Sequence, residues 1–135
     1  MTEKANLLLI SKNQHLHNLL NLEHYSNAWF NADLSLLTNT FDEDTILIYD
    51  SASYGLNPLR TSWLMAYPMI ILGEYEKNIF IESLLETEQK AYLIIDDFIQ
   101  ELYNAIDCIK CGHNYVTKKI DSSVKNATCK NQLKL

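Results

Sequence analysis

Short apolar runs divided by polar turns set the pattern of this chain. Asn6-Leu7-Leu8-Leu9-Ile10 is the first, and Ser11-Lys12-Asn13 breaks it. A run this short, apolar at every position, predicts a strand covered on both faces, as in a parallel sheet. Leu16, Leu19, Leu20 and Glu23 then keep helical spacing, which predicts a helix over about residues 14–24. Asn27-Ala28-Trp29-Phe30-Asn31 reads as a weak second strand. Asp33 reads as the N-cap of a short helix carrying Leu34, Leu36 and Leu37. The acidic turn Asp42-Glu43-Asp44 leads into Thr45-Ile46-Leu47-Ile48-Tyr49-Asp50, a β-branched run that stops on a carboxylate.

The second half repeats the alternation. Asn57-Pro58 suits a helix start, with a helix expected to about residue 66. Pro68-Met69-Ile70-Ile71-Leu72 is a fourth strand closed by Gly73, and residues 78–86 form a helix showing Ile79, Phe80, Leu84 and Leu85. Ala91-Tyr92-Leu93-Ile94-Ile95 is a fifth strand. Asp97 with Gln100 resembles a capping box opening a helix that carries Phe98, Ile99, Leu102, Tyr103, Ile106 and Ile109. Gly112 is its natural stop. Ile120, Val124 and Ala127 again fall at helical spacing, so a further C-terminal helix is expected from near Thr117. Five strands alternating with helices predict an α/β fold, (βα)5, whose parallel sheet is covered on both sides. Asp50 then ends a central strand, at the carboxyl ends of the strands where open α/β folds place their chemistry.

Composition narrows the function classes. The chain of 135 residues is one domain by length, with 47% apolar and 21% charged residues. No apolar run reaches the ~20 residues of a membrane span, and the N-terminus has no signal-peptide pattern, so a soluble, cytoplasmic protein without membrane partners is expected. Three cysteines, an odd number, fit a reducing compartment better than a disulfide scaffold. The net charge of −6 is uneven: residues 1–117 carry −10 and residues 118–135 carry +4. The acidic part is a poor binder of phosphate backbones, and the basic end reads as a solvated linker.

The stretch Gln89-Lys90-Ala91-Tyr92-Leu93-Ile94-Ile95-Asp96, followed by Leu102, Ala105, Ile106, Gly112 and Tyr115, resembles the end of a NarL/LuxR-type response-regulator receiver domain. That family reads "AKGYLLKD…LLEAI…AG…YLSP" here. The resemblance covers about residues 6–120 and implies a flavodoxin-like fold with strand order 2-1-3-4-5. It also implies phosphoryl transfer to Asp50, for which the family needs an acidic pair after strand 1 to hold Mg²⁺, a Thr or Ser ending strand 4 and a Lys ending strand 5. The matching positions here are Ser11 and Lys12, Gly73, and Ile95. Without the metal an incoming phosphoryl group meets an uncompensated carboxylate. The chain is therefore similar to an atypical receiver that does not work by phosphorylation and has no cofactor or enzymatic activity. Two placements of Lys12 stay open: its ammonium replaces the cation beside Asp50, or it points to solvent while Asp50 caps its own turn.

Two further motifs bear on ligands. Some relatives that control biofilm-matrix genes bind cyclic di-GMP through Trp-[Phe/Leu/Met]-[Thr/Ser]-Arg at an added sixth helix. This chain reads Tyr115-Val116-Thr117-Lys118 there. Lys offers a point charge where Arg would stack and grip phosphate in a fork, so the motif supports kinship more than nucleotide binding, with Thr117 as a plain N-cap the simpler reading. Cys108-Ile109-Lys110-Cys111-Gly112-His113 carries a C-x-x-C, for which small buried cysteines are favoured over zinc. His15, His17 and His24 read as surface residues, and no metal site is expected.

These readings converge on a receiver-like domain over residues 1–116, followed by a helix and basic linker over 117–135 toward a helix-turn-helix domain outside this chain. The expected role is a phosphorylation-independent dimerisation and relay module of a LuxR-type transcription regulator. It would form a homodimer and reach DNA through the missing domain. Two alternatives remain. One is a phosphorylatable receiver using Asp50 and Mg²⁺ with help from Glu74 or Glu76. The other is a cyclic di-GMP-responsive receiver. The apolar face of the last long helix, the first helix and the C-terminal helix are the expected dimer surfaces.

Overall fold

The computed structural model describes residues 6–38, 41–61, 63–74 and 86–117. Six parallel strands form one sheet in the order β2-β1-β3-β4-β5-β6. They are β1 (Asn6–Ile10), β2 (Ser26–Phe30), β3 (Thr45–Asp50), β4 (Met69–Gly73), β5 (Lys90–Ile94) and β6 (Tyr115–Val116). The first five lie in the flavodoxin-like order. The expected helix over residues 78–86 falls almost wholly outside the described residues, as does the helix expected from near Thr117 onward.

The apolar runs became strands because both sheet faces are covered. One face holds Leu7, Leu9, Ile46, Ile48, Ile70, Leu72 and Leu93 under α1 (Gln14–Asn21) and α4 (Phe98–Lys110). The other holds Ile10, Leu47, Tyr49, Met69, Ile71 and Tyr92 with Leu59 of α3 (Asn57–Thr61) and Leu64 of the 3₁₀ turn Trp63–Ala66. Every residue of β3 is buried, so a polar side chain on it must find its partners inside the protein. That condition governs Asp50.

Several expectations change in detail. The helix expected from 57 to 66 is two pieces, α3 and the 3₁₀ turn. Asp33 does cap a turn, accepting from Ser35 N–H at 3.0 Å, but the turn is 3₁₀ and spans Leu34–Leu36. The capping box at Asp97 is not made. The chain enters α4 through a 3₁₀ turn, Ile95–Asp97, leaving Asp97 at ψ 11° rather than extended, and its side chain makes no cap bond. Gly112 does end α4: at φ +85° it lets Gly112 N–H reach Ile109 O (2.9 Å) and His113 N–H reach Cys108 O (2.8 Å). The chain then adds a strand the sequence did not announce. β6 pairs with β5, Ala91 opposite Tyr115 and Tyr92 opposite Val116, and Thr117 N–H donates to Tyr92 O at 2.8 Å.

Candidate functional site

The C-terminal ends of β1 and β3 bring the chemistry together. Their register sets Ile10 beside Tyr49, so Ser11 and Asp50 leave the sheet side by side. Asp50 is 1% exposed. Its carboxylate accepts from three neutral donors: Ser11 Oγ at 2.7 Å and Ser53 Oγ at 2.9 Å on Oδ2, and Ala52 N–H at 3.1 Å on Oδ1. The last bond makes Asp50 the N-cap of α2 (Ser51–Tyr54). The two serines are themselves held. Ser11 Oγ accepts from Asn13 N–H and Ser53 Oγ from Lys12 N–H, both at 2.9 Å. Ser51 Oγ ties the same turn to β4 through Leu72 O at 2.7 Å.

Lys12 takes part through its backbone. Its ammonium lies over the Tyr54 ring, 5.2 Å from the centroid, and is not a partner of Asp50. The pairing of Lys12 with Asp50 is therefore not found, and Asp50 capping its own turn is. The physical reason is supply: two hydroxyls and an amide already meet the carboxylate, while the exposed lysine keeps its head in water on an aromatic face. The Asp33 carboxyl is held below its ordinary range mainly by hydrogen bonds from Ser35, with Lys12 adding a smaller pull. Tyr54 spans the gap by donating to Ala32 O at 2.8 Å. Burial, then the charges of Asp50 and Asp33, raise its hydroxyl above the usual tyrosine range.

Gly73 and Ile95, the other two positions compared with the receiver pattern, also have clear surroundings. A Cβ on Gly73 would sit 1.9 Å from Tyr92 Oη and 2.6 Å from its Cζ. The buried Tyr92 side chain thus fills the space a Thr or Ser at the end of β4 would need. Ile95 opens the 3₁₀ turn before α4 and packs against the core beneath that helix. Glu74 is exposed after β4, and Glu76 lies outside the described residues. Among the described residues no group of three His, Cys, Asp or Glu side chains is arranged to hold a metal ion, and no helix is long and apolar enough to cross a membrane.

Behind Asp50, Trp29 on β2 donates its indole N–H to Ser11 O at 2.8 Å. The ring of His17 stacks on that indole at 4.3 Å and 11°. His17 is thus half-buried rather than a free surface residue. The pocket edge is braced from β1, β2 and α1 together.

The described part of the Tyr115-Val116-Thr117-Lys118 stretch lies inside the protein. Tyr115, Val116 and Thr117 are buried, and Lys118 lies outside the described residues. The Tyr115 hydroxyl donates to Glu101 Oε1, and Thr117 Oγ1 donates to Glu101 Oε2 at 2.7 Å. The Tyr115 ring is inside the protein, where no base can stack on it. Glu101 itself is 8% exposed and was not foreseen. Only its place on the inward stripe of α4, beside Leu102 and Ala105, hinted at burial. In the C-x-x-C, Cys108 is buried but disulfide-bonded, whereas Cys111 is an exposed free thiol. The expected burial holds at Cys108 and not at Cys111, and the bond at Cys108 departs from the expected free thiols.

Comparison with protein-family models, curated proteins and solved structures gave no match.

Proposed function

We propose that this chain is an atypical receiver-type regulatory module that works by its fixed shape and not by accepting a phosphoryl group. In this reading it relays its state to a DNA-binding domain of the LuxR type outside the chain. The observation that carries the proposal is the caging of Asp50. A phosphoryl acceptor needs an accessible oxygen and a cation to absorb charge during in-line transfer. Asp50 offers no accessible oxygen: its carboxylate is buried and both oxygens are engaged by Ser11, Ser53 and Ala52. Gly73 with Tyr92 packed over it supports the same reading, since the place of a phosphate-sensing hydroxyl is filled by an aromatic ring.

The test is the intact mass of the chain after incubation with Mg²⁺ and a small phosphodonor, beside Asp50→Asn. The expected result is no adduct on either. A phosphoryl adduct on the wild type that disappears in Asp50→Asn overturns the proposal.

A further inference from the structure

The two edges of the sheet differ. Exposed strand edges present unpaired N–H and C=O groups, and proteins blunt them by shortness, charge, proline or bulges. β6 is blunted by its two-residue length. β2 has none of these protections. It runs five residues, Ser26-Asn27-Ala28-Trp29-Phe30, without a charge or a proline, and follows β1 in continuous register without a bulge. Ser26 and Ala28 are exposed, and β1 is the strand paired with β2 among the described residues.

The backbone directions are fixed by one bond. Phe30 O accepts from Ser11 N–H on the β1 side. By alternation, Ser26 and Ala28 also turn their backbone groups toward β1, and Asn27 and Trp29 turn theirs outward. We propose that this outward edge pairs with β2 of a second copy of the chain, antiparallel about a two-fold axis at Ala28. Centring on Ala28 overlaps all five residues. Asn27 faces the partner's Trp29 and exchanges two hydrogen bonds with it, and symmetry doubles these to four. Ala28 then faces its own copy in the close, non-hydrogen-bonded position, where Cα atoms approach to about 4.5 Å and the alanine methyl groups meet without obstruction.

Charge selects a second copy for this edge. Residues 1–117 carry a net −10, which opposes pairing of two copies through acidic faces. The end of α1 and the outer side of α4 bring Glu23 and Asp107 around Tyr25, for example. β2 is uncharged. Beside it an open cleft of about 550 Å³ is walled by Leu8, Phe30, Leu36, Leu37 and Phe41, with Asp42 the one charged lining residue among the described residues. A two-fold axis normal to the sheet brings the two clefts together on one side. Leu36, 66% exposed, then lies near apolar surface of the partner. Strand pairing alone is smaller than a standard interface, so a dimer in about the micromolar range is expected. Trp29 is pre-set for pairing by its bond to Ser11 O and its stack on His17.

The inference deepens the reading of a regulatory module by naming its dimer surface, but it rests on β2 and not on Asp50, whose state is read separately by mass. The experiment is sedimentation equilibrium of the full chain from about 1 to 300 μM, a span chosen to bracket micromolar association, with Ala28→Lys beside it and circular dichroism as the check on folding. In parallel, Ala28→Cys and Leu22→Cys are each built on Cys111→Ser and oxidised mildly. The expected results are a reversible wild-type dimer, a folded monomeric Ala28→Lys, and covalent dimer from Ala28→Cys above the Cys111→Ser and Leu22→Cys controls. A wild type that stays monomeric to 300 μM overturns the proposal. So does a dimer indifferent to Ala28→Lys that gives no added cross-link at position 28, because both place the association elsewhere or assign the edge to another occupant.

Discussion

Ser11 donates its hydroxyl to Asp50 across the ends of two adjacent strands, at 2.7 Å and inside the protein. Ser11 is itself fully buried. Under the receiver reading proposed above, a metal-binding acid would stand in this neighbourhood; here Ser11 forms a hydrogen-bonded brace instead. Removing the hydroxyl leaves a buried carboxylate one donor short. Ser11→Ala is expected to cost about 1–3 kcal/mol in urea unfolding. Ser53→Ala, at the rim of the same cage, should cost less. A cost from Ser11→Ala within error of zero would mean that water replaces the hydroxyl and that the cage is open.

Lys12 gives the contrasting case. Its ammonium sits over Tyr54 at the surface, and exposed cation–π contacts contribute about 0.5–1 kcal/mol. Lys12→Ala and Tyr54→Leu should each be mild at this contact, and a double-mutant cycle should return a coupling below about 1 kcal/mol. A loss of several kcal/mol from Lys12→Ala alone would signal an unpaired buried charge and restore the Lys12–Asp50 pair.

Gly73 is where the backbone has no room for a side chain. Gly73→Ala places a methyl group against Tyr92 Oη and Cζ, and both belong to a buried ring that cannot swing aside freely. The expected loss is about 1–3 kcal/mol from overpacking. Gly73→Ala combined with Tyr92→Leu should lose less than the sum of the two single variants, since the smaller side chain relieves the collision. Strict additivity in the unfolding data would show that the ring is not what fills the space.

Much of this arrangement was readable in advance, and the gaps have physical causes. β1, β3, β4 and β5 announced themselves because strands buried on both faces tolerate little but apolar residues. β2 was fainter, because an edge strand with Ser26 and Ala28 in water needs no such run. The Asp50 turn was legible as a site, but its partners were not. Nothing local tells whether Ser11 or Lys12 will reach a carboxylate 38 or more positions away. Glu101 shows the same limit. Its bonds to Tyr115 and Thr117 cross the whole of α4, and β6 is too short to leave a periodic trace. A capping box, by contrast, is a local pattern, and at Asp97 it failed because the preceding 3₁₀ turn set the wrong entry angle.

Glu101 should hold β6 in place. Glu101→Ala strips acceptors from two buried hydroxyls at once, and the expected cost is about 1–3 kcal/mol for each group left unsatisfied. The effect should be local before it is global. Amide exchange at Val116 and Thr117 should accelerate far more than at Ile48 or Ile70 in the middle of the sheet. Uniform acceleration across all strands would show that β6 is not a separately latched element.

Alkaline pH should expose the buried phenols. Tyr49 donates to Gly55 O at 2.6 Å, and burial, with smaller contributions from Tyr54 and Asp50, pushes its hydroxyl well above the ordinary value of 10.0. Burial likewise lifts Tyr25 to about 12, with Tyr103 and nearby acids adding to it. The unfolded chain therefore releases these protons first, and stability falls as pH rises from about 10 toward the folded-state values. Lys90 acts in the opposite sense. Burial lowers its ammonium below 10.5, so up to that pH the unfolded chain binds more protons and stability rises. Lys90→Met should flatten the rise below pH 10.5. Tyr49→Phe should cost about 1 kcal/mol at pH 7 through the lost hydrogen bond, yet narrow its deficit against the wild type as the pH climbs past 10. Urea midpoints taken at half-unit steps from pH 8 to 11 read both limbs. A Tyr49→Phe deficit that stays constant across that range would mean that the Tyr49 hydroxyl ionises as freely in the folded chain as in the unfolded one.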